Sequence, residues 1–259
     1  MIKHNLTEEN YFSRENELKY MGVSQYKSFT KCEASALAQV EGEWKFEPTK
    51  AMLIGSYVDA VLLGGLDQFL KDNPDVFKKD GALKAEYEHG NRIVERVLRD
   101  KQFVKALVGR HQVIQVGVIE GVPVKTKIDI MQRNRTTDLK CMRDFEDAWV
   151  DGEKLPWWKA WRYDIQGGVY QEVRRQNDRK GIKPFGFAAI TKEPEPDYGL
   201  FEVPQDVLNL ALQEVKHNIV YFDGIKKGLF EPIRCEKCDY CRSTKKLTGW
   251  EELKLLEAH

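Results

Sequence analysis

The chain has 259 residues, of which 42% are hydrophobic and 32% charged, with 41 basic and 41 acidic side chains. That length and apolar content suffice for a sizeable buried core, and no apolar run is long enough to cross a bilayer. A net charge of zero excludes indiscriminate polyanion binding over the whole surface, so any nucleic-acid contact must be local.

In chain order, the first ten residues lack an apolar secretory core, so the expected location is cytoplasmic, with no membrane association. Gly22-Val23-Ser24 leads into a helix starting near Ser24, whose hydroxyl is the expected N-cap. Residues 44–50 form a short loop before a helix over 52–63. Residues 82–108 place Tyr87, Val94, Val97, Leu98 and Val104 among many charges, an amphipathic helical region packed on a core. Residues 113–119 are a strand, and Glu120-Gly121 turns into a second strand over 122–131.

After a polar Gln132-Arg133-Asn134-Arg135 turn, Thr136-Thr137-Asp138-Leu139-Lys140-Cys141 continues the hairpin. Strand side chains alternate faces, so Asp138 and Lys140 point the same way and Cys141 points oppositely, into the core. Pairing about the turn brings Asp129 alongside Asp138, giving two carboxylates and one ammonium on one patch of sheet. Carboxylate oxygens suit Mg²⁺ or Mn²⁺. Such an ion supplies much of what phosphodiester hydrolysis needs, with Lys140 left to hold the attacking water or the scissile phosphate. An Asp-x-Lys triplet also arises as a solvated surface ion pair in so charged a chain.

Downstream, residues 154–183 carry eight basic side chains (Lys154, Lys159, Arg162, Arg174, Arg175, Arg179, Lys180 and Lys183) against Asp164, Glu172 and Asp178. This strip is suited to a phosphate backbone. Trp157, Trp158, Trp161 and Tyr163 interleave with it; rings in this setting either stack on bases or join the core, and the core is the commoner outcome. Strands follow at 185–190 and 199–203, joined by residues 192–197, and a long helix covers 205–227. Strands mixed with helices make the class α/β, without an internal repeat or a low-complexity linker.

Near the C-terminus Cys235, Cys238 and Cys241 stand at two Cys-x-x-Cys spacings, which let successive sulfurs converge on one metal. Taken alone they fit an iron–sulfur centre, Zn²⁺, or reduced thiols without a ligand; a disulfide framework does not suit a cytoplasmic chain with a large core. None of the histidines (His4, His89, His111, His217, His259) lies at a metal-ligand pair spacing.

Asp129, Asp138-Leu139-Lys140 and Tyr163-Asp164-Ile165-Gln166-Gly167-Gly168-Val169-Tyr170 together resemble the PD-(D/E)XK nuclease superfamily, in particular its RecB-like and phage RecE-like exonuclease branch. The resemblance covers most of the chain and implies a restriction-endonuclease-like core, a central mixed sheet flanked by helices. It further implies one nuclease domain over 1–259, with a helical N-terminal part and a Cys-containing C-terminal segment. It makes Asp129 and Asp138 metal ligands, Lys140 the catalytic lysine, and Gln166 and Tyr170 contacts near the DNA end; Arg162, from the basic strip, is the further expected DNA contact. Residues 52–63 are similar to the family's Gly-x-x-x-His helix, with Gly55 in place but Asp59 where His is usual. Asp59 is therefore expected either as a third carboxylate ligand or as a helix-capping residue.

The implied activity is a Mg²⁺- or Mn²⁺-dependent DNA exonuclease that hydrolyses one strand from duplex ends. It is implied to act in phage-type recombination, with an annealing protein for the exposed single strand and ring-shaped oligomers among processive members. RecB-like members of the AddB and CRISPR-associated kind tie an early cysteine to a C-terminal cluster. By that similarity Cys32, Cys235, Cys238 and Cys241 are expected to share a [4Fe–4S] centre, with Zn²⁺ kept from the reading of the thiols as the other occupant. The alternatives are a DNA-binding module of nuclease fold with weakened activity, or an iron–sulfur nuclease of the CRISPR-adaptation or AddB type.

Overall fold

The computed structural model describes residues 2–178, 181–247 and 249–250. Arg179 and Lys180 of the basic strip, and His259, lie outside the described residues. The N-terminal part comprises α1 (Arg14–Lys19), the two-residue strand β1 (Met21–Gly22), α2 (Val23–Lys31), α3 (Glu33–Glu41), α4 (Lys50–Leu63) and α5 (Leu66–Asp72). A 3₁₀ turn at Pro74–Val76 then leads to α6 (Ala85–Leu98) and α7 (Lys101–Leu107). The amphipathic stretch expected over 82–108 is thus two helices. Asp100 separates them, accepting from the backbone N–H of Gln102 and Phe103 and so restarting the helix as its N-cap. The expected cap at Ser24 is corrected: α2 starts one residue earlier, after Gly22, with no side-chain cap.

Next come β2 (Arg110–Ile119), β3 (Val122–Met131), β4 (Thr136–Met142), and a small hairpin of β5 (Ala148–Val150) and β6 (Glu153–Leu155). They are followed by α8 (Trp157–Ala160), α9 (Tyr163–Asn177), β7 (Phe185–Thr191), β8 (Tyr198–Glu202), α10 (Gln205–Lys226) and α11 (Asp239–Ser243). The main sheet is mixed and six-stranded. β3 pairs antiparallel with β2 along one edge, β4 runs parallel to β7, and β8 closes the far side antiparallel to β7.

Helices cover both faces, which is why β7 is buried at every position. On one face Ile128, Phe185, Phe187 and Ala189 pack with Ile165, Val169 and Val173 of α9 and Leu208, Ala211 and Val215 of α10. On the other, Ile130, Leu139, Ala188 and Ile190 pack with Tyr57 and Val58 of α4, Ile93, Val94 and Val97 of α6, and Phe103 of α7. The α/β class and its mixed, helix-flanked sheet are as expected. Among the described residues no helix is long and apolar enough to cross a membrane.

The sheet forks in the middle of β3. Opposite its edge to β2, β3 pairs with β1 at Val124 and Lys125, and with β4 only at Ile130 and Met131. Between these contacts the edge of β3 is open to other partners. The Lys127 carbonyl accepts from the Tyr170 hydroxyl at 2.9 Å, and Asp129 turns its side chain to the neighbouring strand. A gap of this kind exposes backbone polar groups inside a protein and persists only where other groups meet them.

Candidate functional site

The Asp129 and Asp138 side chains meet at the fork. Asp129 Oδ2 accepts from the Leu139 backbone N–H at 3.0 Å, standing in for the carbonyl that a continued β3–β4 ladder would have provided. Its other oxygen accepts from Gln112 Nε2 at 3.2 Å. Gln112 lies in β2 with φ of 49°, a left-handed conformation uncommon for a non-glycine residue, and it interrupts the ladder between His111 and Val113. Asp138 has no solvent exposure. Its Oδ1 accepts from Gln166 Nε2 of α9 at 2.6 Å, and its Oδ2 faces Lys140 Nζ at 2.5 Å as an ion pair that lacks hydrogen-bond alignment. The period-two expectation for Asp138 and Lys140 therefore holds. The lysine head also lies 4.8 Å from the centroid of the Tyr163 ring, which carries it from below.

Asp59 approaches from α4. The helix comes close to β4 because position 55 is glycine: a Cβ there would stand 3.3 Å from the Cys141 carbonyl oxygen. Asp59 sits well inside the helix, whose N-cap is Thr49, so the capping role is corrected. Its Oδ1 is sealed from solvent with no hydrogen-bond partner. Burial pushes the Asp59 carboxyl up to about 7; Lys140 and Lys192 oppose that shift and Asp138 adds to it. Burial also holds Asp129 well above the carboxylate range, with Asp138 and Asp59 adding to it against Lys140. For Lys140, burial disfavours the charge, but the Asp138 and Asp129 carboxylates outweigh it and hold the lysine above its ordinary value.

Three carboxylates thus share a low-dielectric region with one committed ammonium, and one carboxylate oxygen has no partner. Buried charge of this sign is stabilised by a cation or else protonates. The donors are all carboxylate oxygens, the type that a hard divalent ion takes, although among the described residues only the four cysteines bring metal-ligating atoms of three or more side chains within 4.8 Å of one another. Asp59 and Asp129 line a cavity of about 1010 Å³, together with Lys125, Lys127, Tyr170, Phe12, Trp44 and Phe46. Phe12 and Phe46 are exposed. Lys127 pairs with Glu8 at 2.7 Å, and buried Lys125 pairs with Glu17 at 2.7 Å.

Other expected residues have different surroundings. Gln166 and Tyr170 are both engaged, Gln166 with Asp138 and Tyr170 with the β3 backbone. They hold the carboxylate strands in place. The Arg162 guanidinium is taken up by Glu214 Oε1 and Oε2 at 2.7 and 2.6 Å, and lies 3.6 Å from the buried Asp164. It fastens α9 to α10. Trp157 is a core residue, packed edge-on against Phe187 and Phe201, whereas Trp161 is exposed. His89 and His111 bond to backbone carbonyls. Gln112 and Lys27 contribute to the site without any signal in the sequence, and Tyr163, expected to stack on bases or join the core, lies under the Lys140 head instead. Lys27 packs 5.1 Å from the Tyr163 centroid and is pushed down to about 8 by burial, with Lys140 and Lys31 adding to it.

The cysteine expectation concerns a second place. The sulfurs of Cys32, Cys235, Cys238 and Cys241 all lie within 4.8 Å of one another. Cys141 stands apart from them at the α4–β4 contact, and burial pushes its thiol up to about 12.

Comparison with known proteins agrees with this architecture. The sequence family described as a PDDEXK-like domain of unknown function matches residues 22–244. The chain is similar to the crystal structure of a "Putative exonuclease" from Eubacterium rectale, at 39% identity over 96% of this chain and 97% of that one, with a TM-score of 0.92. No curated protein sequence matches significantly.

Proposed function

We propose, from the premise that this chain belongs to the PDDEXK-like domain family and so has a PD-(D/E)XK nuclease fold, that it is a metal-dependent deoxyribonuclease of the exonuclease kind. The observation that carries the reading is the cluster of Asp59, Asp129 and Asp138 with Lys140 in the open fork of the sheet, including the unpartnered Asp59 Oδ1. The relative's name favours an exonuclease within that class. Asp59, Asp129 and Asp138 are the residues that would hold Mg²⁺ or Mn²⁺. Such an ion neutralises phosphate charge and makes water acidic enough to yield a nucleophile near neutral pH.

The chain's own groups do the rest. Asp138, fixed by Gln166, and Asp129, fixed by Gln112 and the Leu139 N–H, keep their oxygens oriented without rearrangement during the reaction, the preorganisation that makes electrostatic stabilisation effective. Lys140, held between Asp138 and the Tyr163 ring, stays charged and presents protons to a non-bridging phosphate oxygen or to the attacking water. Lys127, on the same strand face as Asp129, would exchange its pair with exposed Glu8 for the backbone phosphates next to the reacting one. Phe12 and Phe46, exposed and on the cavity lining, offer faces to unpaired bases.

On this reading one nuclease domain spans 1–259 and digests one strand of a duplex from its end, in phage-type recombination. A protein that anneals the exposed strand is its partner. An end-labelled linear duplex digested beside a covalently closed circle, with Mn²⁺ or with a chelator, tests the proposal. Metal-dependent loss of the linear DNA alone supports it. Cutting of both substrates would make the protein an endonuclease. Binding without cutting would favour a DNA-binding module, the reading that Asp59 in the usual place of His keeps in view.

A further inference from the structure

We propose that Cys32, Cys235, Cys238 and Cys241 hold a single zinc ion in a tetrahedral four-sulfur site, in place of the [4Fe–4S] centre that the family resemblance implies. The site is separate from the carboxylate cluster, and the inference stands whether or not the protein cuts DNA.

The size of the sulfur cage carries the argument. With Zn–S bonds of about 2.3 Å, the sulfurs of a tetrahedral site lie about 3.8 Å apart. Here Cys32 Sγ is 3.6 Å from Cys241 Sγ, Cys235 Sγ is 4.0 Å from Cys241 Sγ, and no pair exceeds 4.8 Å. In a cubane cluster each thiolate binds a different iron, so two sulfurs are separated by an iron–iron edge as well as two iron–sulfur bonds. That separation is well beyond 4.8 Å, and the cage has no room for it. Nor are the sulfurs bonded to one another, since all five cysteines are free.

Backbone N–H groups are aimed at the sulfurs as well. Cys235 Sγ faces the N–H of Lys237 at 3.5 Å and of Cys238 at 3.3 Å, and Cys238 Sγ faces that of Cys241 at 3.5 Å. This turn stabilises thiolate charge and orients the sulfurs, as outer contacts do around metal ligands. Four thiolates at these distances, two of them buried, would fill every position of a tetrahedral ion, as in a structural site.

The ion would clasp two distant parts of the chain. Cys32 sits at the junction of α2 and α3, and the other three cysteines lie around α11. Around them Ile233 O accepts from Ala34 N at 3.1 Å, Ile233 N donates to Glu33 Oε2 at 2.8 Å, and Trp44 packs edge-on against Tyr240 at 5.7 Å. Gln39, Val40 and Trp44 also line the cavity that holds Asp59 and Asp129. The clasp therefore fixes the outer wall of that cavity without touching the carboxylates.

Metal analysis and visible absorption of protein purified anaerobically without added metal test this directly. One zinc per chain in colourless protein is expected, and Co²⁺ exchange should give the intense visible bands of a tetrahedral four-thiolate site. Removing the zinc should raise hydrogen exchange in α3 and α11 and leave β4 and α4 protected. Cys238→Ser should lose the zinc, with circular dichroism reporting whether it stays folded; a folded variant that keeps one zinc per chain overturns the proposal. Brown protein with several irons and acid-labile sulfide also overturns it, as does metal-free protein whose four thiols all titrate in the native state. Because the wild-type measurements decide by themselves, an unfolded variant leaves the test intact.

Discussion

Replacing Asp59 with asparagine separates stability from activity in a way the site geometry dictates. Asp59 is pushed up to about 7 from an ordinary 3.8 because its folded surroundings disfavour the charged form. In metal-free protein the charge therefore costs stability: nothing below about pH 4, an increasing amount between 4 and 7, and a constant amount above 7. At 1.36 kcal/mol per unit the full cost is at most about 4 kcal/mol, and because the side chain lines an open cavity roughly 2 kcal/mol is the expected net gain on neutralising it. In thermal melts with EDTA at pH 8, Asp59→Asn should melt some 4–8 °C above wild type, at about 2–4 °C per kcal/mol for a chain of this size. At pH 4.5 the difference should fall to about a quarter of that. Saturating Mn²⁺ should erase the advantage, because wild type gains binding free energy that the variant largely lacks, and the variant should need more Mn²⁺ for any hydrolysis. A variant no more stable than wild type at pH 8 in EDTA, or a gap that widens towards acid, would refute a buried, cation-seeking carboxylate at this position.

Asp138→Asn should abolish hydrolysis while leaving DNA affinity largely intact, since it removes charge and little volume; a gel-shift titration beside a digestion assay reads both. Lys140→Ala should lower the rate at least about a hundredfold, the scale of losing a preorganised electrostatic stabiliser, and a loss under tenfold would make the lysine a structural ion pair. Gln166→Ala frees Asp138 Oδ1 and should reduce kcat about tenfold and lower the melting temperature as well, because a buried carboxylate oxygen loses its partner at a cost of about 1–3 kcal/mol. Gly167→Ala would bring its Cβ to 2.6 Å from Leu208 Cδ2 and 2.7 Å from Phe185 Cδ1. The overpacking cost of about 1–3 kcal/mol should outweigh the gain of up to about 1 kcal/mol in helix propensity, so denaturant melts should show net destabilisation.

The hairpin of the candidate site was legible because its signal is local. Alternation along Thr136–Cys141 and the polar turn at 132–135 determine which side chains share a face. β7 and α10 were legible for the same reason, as an apolar run and a long amphipathic stretch. What stayed hidden depends on distant contacts. β1 is two residues long and exists only because β3 offers an edge at Val124 and Lys125. The fork, and with it the role of Asp129 as an acceptor for the Leu139 N–H, follows from where β1 and β4 stop pairing. Gln112 reaches Asp129 through an uncommon backbone conformation that its residue type does not announce. Arg162 looked available for DNA in a basic strip, yet Glu214, on a helix far along the chain, takes it up. Cys32 was joined to the C-terminal thiols through the family resemblance, since nothing local to it marks a ligand.

A divalent-metal centre at the fork of the sheet is tested most directly by anomalous diffraction from crystals soaked in Mn²⁺. Such a centre should give an anomalous peak bounded by the carboxylate oxygens of Asp59, Asp129 and Asp138, absent from crystals of Asp138→Asn. Fully soaked crystals with no peak at the fork, or with one that persists unchanged in that variant, would contradict it.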